Sequence, residues 1–114
     1  MALSQGKWTG EFVVSEANGS LSREQITVAA AAPAMVAGTL VGIITASSKY
    51  APYSNANADG TQTCVGALYR ALADSASDQA GIVITRLAEF QRSELTGWDA
   101  AAEVELNARF IVTR

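Results

Sequence analysis

From Gln25 to Ser48 the chain carries no charged residue, and no other stretch limits its possible folds so strongly. A run of that length raises a membrane-spanning helix as a candidate, but its content argues otherwise. Pro33, Gly38 and Gly42 interrupt it, and Ala and Thr outnumber Leu and Phe. The β-branched clusters Ile26-Thr27-Val28 and Val41-Gly42-Ile43-Ile44-Thr45 favour two strands around a turn instead. No membrane partner is expected. The first residues, Met1 to Lys7, also lack the apolar stretch of a secretory signal.

The remaining apolar runs are short. Ile26 to Ala30 and Thr39 to Thr45 read as strands, broken at Ala31-Ala32-Pro33-Ala34 because proline cannot donate to a ladder. Ala46 to Gln62 reads as a long loop rich in turn residues, and a loop of that length is often functional. Thr63 to Arg70 and Gly81 to Leu87 give two further strands, Glu89 to Arg92 a short edge piece, and Arg109 to Thr113 a terminal strand. A helix is expected over roughly Trp98 to Ala108, with Trp98, Ala102 and Leu106 on one face and Asp99 and Glu103 near its positive end. The fold class is mainly β with a small α/β portion and one C-terminal helix. At 114 residues it is one domain, long enough to bury roughly two-thirds of the surface of its unfolded form.

Ahead of this body, residues 1–20 read as an arm with one short apolar run, Phe12-Val13-Val14. Glu11 to Glu16 forms one short apolar strand closed by the Asn18-Gly19 turn, too short to make a core of its own. Three readings fit it: a docking arm whose backbone pairs with another sheet edge, a disordered tail, or an ordinary edge strand of the chain's own sheet. Asn18-Gly19-Ser20 formally matches a glycosylation acceptor, but without an export signal a turn is the better account.

Chemical apparatus is scarce. The chain has no histidine, which removes the commonest general base and metal ligand together. Its single cysteine, Cys64, lies in an apolar run and reads as a small buried hydrophobe. No phosphate-binding glycine loop is present, and Glu103 and Glu105, two apart, point in different directions on a helix and read as solvated surface. A net charge of −3 with scattered arginines gives no footprint for nucleic acid. No enzyme and no cofactor are expected. Tyr50 and Tyr53, beside Pro52, read either as loop residues packed on the sheet or, with Trp98, as a contact surface for carbohydrate or peptide.

The body carries a more specific pattern. Gly42-Ile43-Ile44-Thr45, then Lys49-Tyr50, Pro52-Tyr53, Ala58-Asp59-Gly60-Thr61-Gln62-Thr63 and Gly66-Ala67-Leu68-Tyr69 resemble the bacteriophage head decoration protein D family. So do Glu11-Phe12, Ser15 to Gly19 and Ser22-Arg23-Glu24, as does the order after residue 80: an Ile-Val strand, an acidic turn, a Trp, a helix and a last strand. Leu21, Cys64 and Ala67 depart from the usual pattern.

The resemblance implies a non-enzymatic homotrimer of β-clip type, made in the bacterial host cytoplasm and carried on the outer surface of the virion. Such trimers sit at three-fold positions of an expanded head and clamp the major capsid protein. It also implies that the arm orders on the capsid by adding to its strands, which places capsid binding on Phe12, Val13, Val14, Ser15 and Glu16.

Overall fold

A computed structural model describes residues 9–10, 12–17, 21–30 and 32–114. Five strands close into a barrel in the order β2-β4-β3-β5-β6, and three form a second sheet in the order β1-β7-β8. The barrel strands are β2 (Arg23–Val28), β3 (Leu40–Ile43), β4 (Tyr50–Pro52), β5 (Gly66–Leu68) and β6 (Gln79–Ile84). The sheet comprises β1 (Val13–Glu16), β7 (Ala88–Phe90) and β8 (Ile111–Thr113). Among the described residues one α-helix, α1 (Ala100–Asn107), precedes β8.

The uncharged run therefore supplies strands, as its composition requires: β2 ends and β3 lies within it. No helix among the described residues is long and apolar enough to cross a membrane. The central strands have continuous apolar sequences because both faces of the barrel wall are covered there. Val41, Leu68 and Val83 point into the barrel with Val28, Met35 and Val65. Their chain neighbours Leu40, Ala67 and Ile84 point the other way, into a second core with Phe12, Ala88, Phe90, Leu95, Ala102, Leu106 and Ile111. Strand alternation thus divides one wall between two cores.

Several boundaries differ from the sequence reading. The long loop contains β4, whose Tyr50-Ala51-Pro52 pairs antiparallel with β3. The edge piece after residue 88 is instead the central strand β7, antiparallel to β1 and parallel to β8. The helix begins two residues later than expected because Asp99 caps it, its carboxylate accepting from Ala102 N at 2.7 Å. Ala102 and Leu106 form its buried face, while Trp98 precedes the helix and lies half-buried against the core.

The Ala58-to-Thr63 block docks onto the end of β3. The Asp59 carboxylate accepts from Thr61 N and Thr61 Oγ1, Asn57 Nδ2 donates to Thr61 Oγ1 at 2.8 Å, and Gly60 N donates to Gln62 Oε1 at 2.8 Å. Gly60 has φ +113°, and a Cβ there would lie 2.4 Å from Ile43 O. A Cβ on Gly42 would stand 2.6 Å from Thr61 Cα. The loop lies backbone against backbone on β3, an approach that glycine permits.

Candidate functional site

The segment singled out in the sequence enters the molecule at Gly10, whose amide donates to Tyr69 O at 2.9 Å and whose carbonyl accepts from Val13 N at 3.0 Å. Between them Phe12 turns inward. It is 1% exposed and meets Phe90 edge to face, with centroids 4.9 Å apart and planes at 76°. Its carbonyl accepts from Gln91 N at 2.7 Å. Val13 to Glu16 then pair with Phe90, Glu89 and Ala88 of β7, with a register shift between Val13 and Ser15 that leaves Val14 55% exposed.

Of the three readings of the segment, the geometry here is that of an edge strand in the chain's own sheet. Phe12 is a core residue with no surface to offer, because burying a phenyl ring is worth roughly 1.5–3 kcal/mol that an extended arm would forgo. From Phe12 to Ala17 the chain is built into the body's own sheet. Residues 1–8, Glu11 and the Asn18-Gly19-Ser20 turn lie outside the described residues.

The far end of β1 is clamped. Arg23 Nη2 donates to Glu16 Oε1 at 2.6 Å and to Tyr69 OH at 3.0 Å, and the guanidinium carbon sits 4.0 Å from the Tyr69 ring centroid. Its partnership with Glu16 raises the Arg23 pKa further above its ordinary value. Ala17 N is held by Ser22 Oγ at 2.9 Å and Leu87 O at 3.2 Å. Sequence reasoning missed Arg23 and Tyr69, since nothing local links positions so far apart.

What β1 presents outward is an edge and a face. It is the terminal strand of its sheet, with no strand on its outer side among the described residues. Ser15 and Val112 both lie in register with Glu89 and share the outer face with it. Ser15 Oγ donates to Glu89 Oε1 at 3.2 Å, and Arg114 Nε to Glu89 Oε2. Val14 and Val112 are exposed as well. A short terminal strand with small apolar side chains suits pairing with an extended segment of another chain.

The alternative aromatic surface does not assemble. Tyr53 is buried, and its hydroxyl donates to Asp99 Oδ1 at 2.8 Å. Burial, followed by that hydrogen bond, pushes its pKa well up. Tyr50 is half-buried in β4, and Trp98 lies beneath the Arg92 guanidinium at 4.4 Å. The packing reading of Tyr53 is therefore the one observed.

The carboxylates are structural. Glu105, expected as solvated surface, is half-buried and accepts from Cys64 N at 2.8 Å. Glu103 is engaged by Arg92 Nη2 at 2.6 Å and Thr113 Oγ1 at 3.0 Å, so the two glutamates do point apart. Cys64 is buried, and burial pushes its thiol up to about 12. No group of three potential metal ligands occurs among the described residues.

No curated protein matches the chain. A family model, bacteriophage lambda head decoration protein D, matches residues 2–111.

Proposed function

The chain belongs to the bacteriophage lambda head decoration protein D family, and from that premise we propose that it binds as a homotrimer to the outer surface of the expanded head and cements it. The contact is with the major capsid protein at three-fold positions. It is a mechanical role in the virion that uses no catalytic chemistry.

The observation that carries this reading beyond the family is the edge of β1. Among the residues first assigned to capsid binding, Phe12 anchors the strand from inside and Glu16 is held by Arg23, which leaves Val14, Ser15 and the outer edge of the strand to meet the shell. Because β1 is ordered by its own sheet, docking carries little of the ordering cost that weakens a flexible arm. One such edge buries little area. Three on a rigid trimer act together, since after the first engages the others bind at high effective concentration. Expansion regulates attachment by exposing the acceptor edge only in the mature shell.

Val14→Asp tests the assignment. A charge on an edge strand opposes strand addition, whereas an exposed position tolerates it within the fold. The variant is expected to keep its thermal midpoint and oligomeric mass and to lose binding to expanded heads. Undiminished binding would remove β1 from the contact.

A further inference from the structure

Two large apolar residues occupy backbone conformations that L-residues rarely adopt. Leu87 has φ +54° and Phe110 φ +61°, and they are 40% and 73% exposed. Ala88 N donates to Phe110 O and Leu87 N to Arg109 O, both at 3.3 Å, so the two turns lie side by side. Leu21, 56% exposed, is drawn to the same end through Arg86 Nη1, which donates to Leu21 O at 2.7 Å. A position that only had to make the turn would be served better by glycine or asparagine. Here strain and water-exposed apolar area coincide twice, at Leu87 and at Phe110.

A complementary surface lies at the opposite end of the barrel. The Met35–Leu72 bridge brings two segments together, and Ala32, Pro33, Asp74, Ser75 and Ala76 line a depression of about 430 Å³. Exposed Val36 follows on the same segment. The β2–β6 ladder separates the two ends: the Leu21, Leu87 and Phe110 knob lies beyond the Arg23–Ile84 pair, the depression beyond Val28–Gln79. At about 3.4 Å per residue the ladder spans roughly 17 Å. Charge matches shape. Arg109, next to Phe110, and Asp74, in the depression, form no ion pair with each other or with any other described residue.

We propose that the knob around Phe110 of one copy seats in the Pro33–Asp74 depression of a second copy, with Arg109 meeting Asp74. Knob and depression are different surfaces at opposite ends, so the contact is head-to-tail, the heterologous kind that builds a ring when its rotation closes. This names the surfaces of the self-association proposed above and rests on that reading. It does not involve the β1 edge, which stays free for the shell.

Sedimentation over a concentration series tests it with wild type, Phe110→Gly, Arg109→Asp and the double variant Arg109→Asp with Asp74→Arg. Phe110→Gly relaxes the turn, so its monomer stays folded, and its self-association is expected to weaken about tenfold or more, as for an aromatic anchor. Arg109→Asp alone weakens association, and adding Asp74→Arg restores it. Wild type that stays monomeric throughout, Phe110→Gly that associates as wild type does, or a double variant no better than Arg109→Asp would each overturn the proposal. Phe110→Gly that keeps its mass but no longer binds heads would assign the knob to the shell and also overturn it. Wild type that associates through these residues yet never binds heads would uphold this contact and refute capsid attachment.

Discussion

Replacing Phe12 by alanine separates a strand built into the body from an arm that merely rests on it. The ring is 1% exposed and stacked edge to face on Phe90 at 4.9 Å, so truncation removes an entire buried side chain and leaves a cavity between β7, α1 and the barrel wall. Such phenylalanine truncations cost about 3–5 kcal/mol, a large share of the 5–15 kcal/mol that holds a typical domain together. At about 4 °C per kcal/mol for a domain of this size, the thermal midpoint falls by roughly 12–20 °C. Urea unfolding followed by far-UV circular dichroism gives the loss directly, with protein concentration fixed because self-association raises apparent stability. Val14→Ala is the control: its side chain is 55% exposed, and the change is expected within about 0.5 kcal/mol. A loss below about 1 kcal/mol for Phe12→Ala, within the reach of the control, would refute the core assignment. The same geometry changes how a truncation must be read. Deleting residues 1–17 removes Phe12 and β1 together, so lost head binding would then report a damaged fold rather than a missing contact.

Gly42→Ala would place a Cβ 2.6 Å from Thr61 Cα and 2.8 Å from Thr63 O, both backbone positions; a loss of about 2–3 kcal/mol by chemical denaturation is expected, and a neutral change would show that the loop docks less closely on β3. Tyr53→Phe removes the 2.8 Å hydrogen bond to Asp99 and should cost about 1.5 kcal/mol by the same assay, with α1 retained because Asp99 still caps it. The acid limb of stability should depend on two carboxylates with depressed pKa values, Asp59 through Thr61 and Asp78 through Lys49. For a depressed pKa the contribution is present above the unfolded value, near 4, and is lost as pH falls through the folded one. Asp59→Asn and Asp78→Asn should each flatten the fall in thermal midpoint below about pH 4, and an unchanged profile would remove that carboxylate from the account.

Class and local elements were legible because they follow from short-range pattern. The uncharged run with Pro33 and its two glycines argued against a spanning helix, and Leu40-Val41, Ala67-Leu68 and Val83-Ile84 were recognisable as strands. Their division between two cores was not, because a run buried on both faces has no alternation to read. Barrel closure was equally hidden, since the pairing of Arg23 to Val28 with Ile84 to Gln79 is set by contacts distant in sequence. The candidate site suffered most from this. Phe12 looked available because its partner Phe90 lies far along the chain, and Glu16 looked free because Arg23, itself held by Tyr69, meets it only in the fold. Leu87 and Phe110 gave no turn signal, since neither is a residue that favours a positive φ.

The central claim is attachment to the head, and the direct measurement adds purified protein to empty phage heads before and after expansion, following co-sedimentation and resistance to rupture. Decoration predicts binding to expanded heads alone, together with higher resistance to rupture. Absence of binding to expanded heads, or equal binding to both forms without any gain in strength, would contradict it.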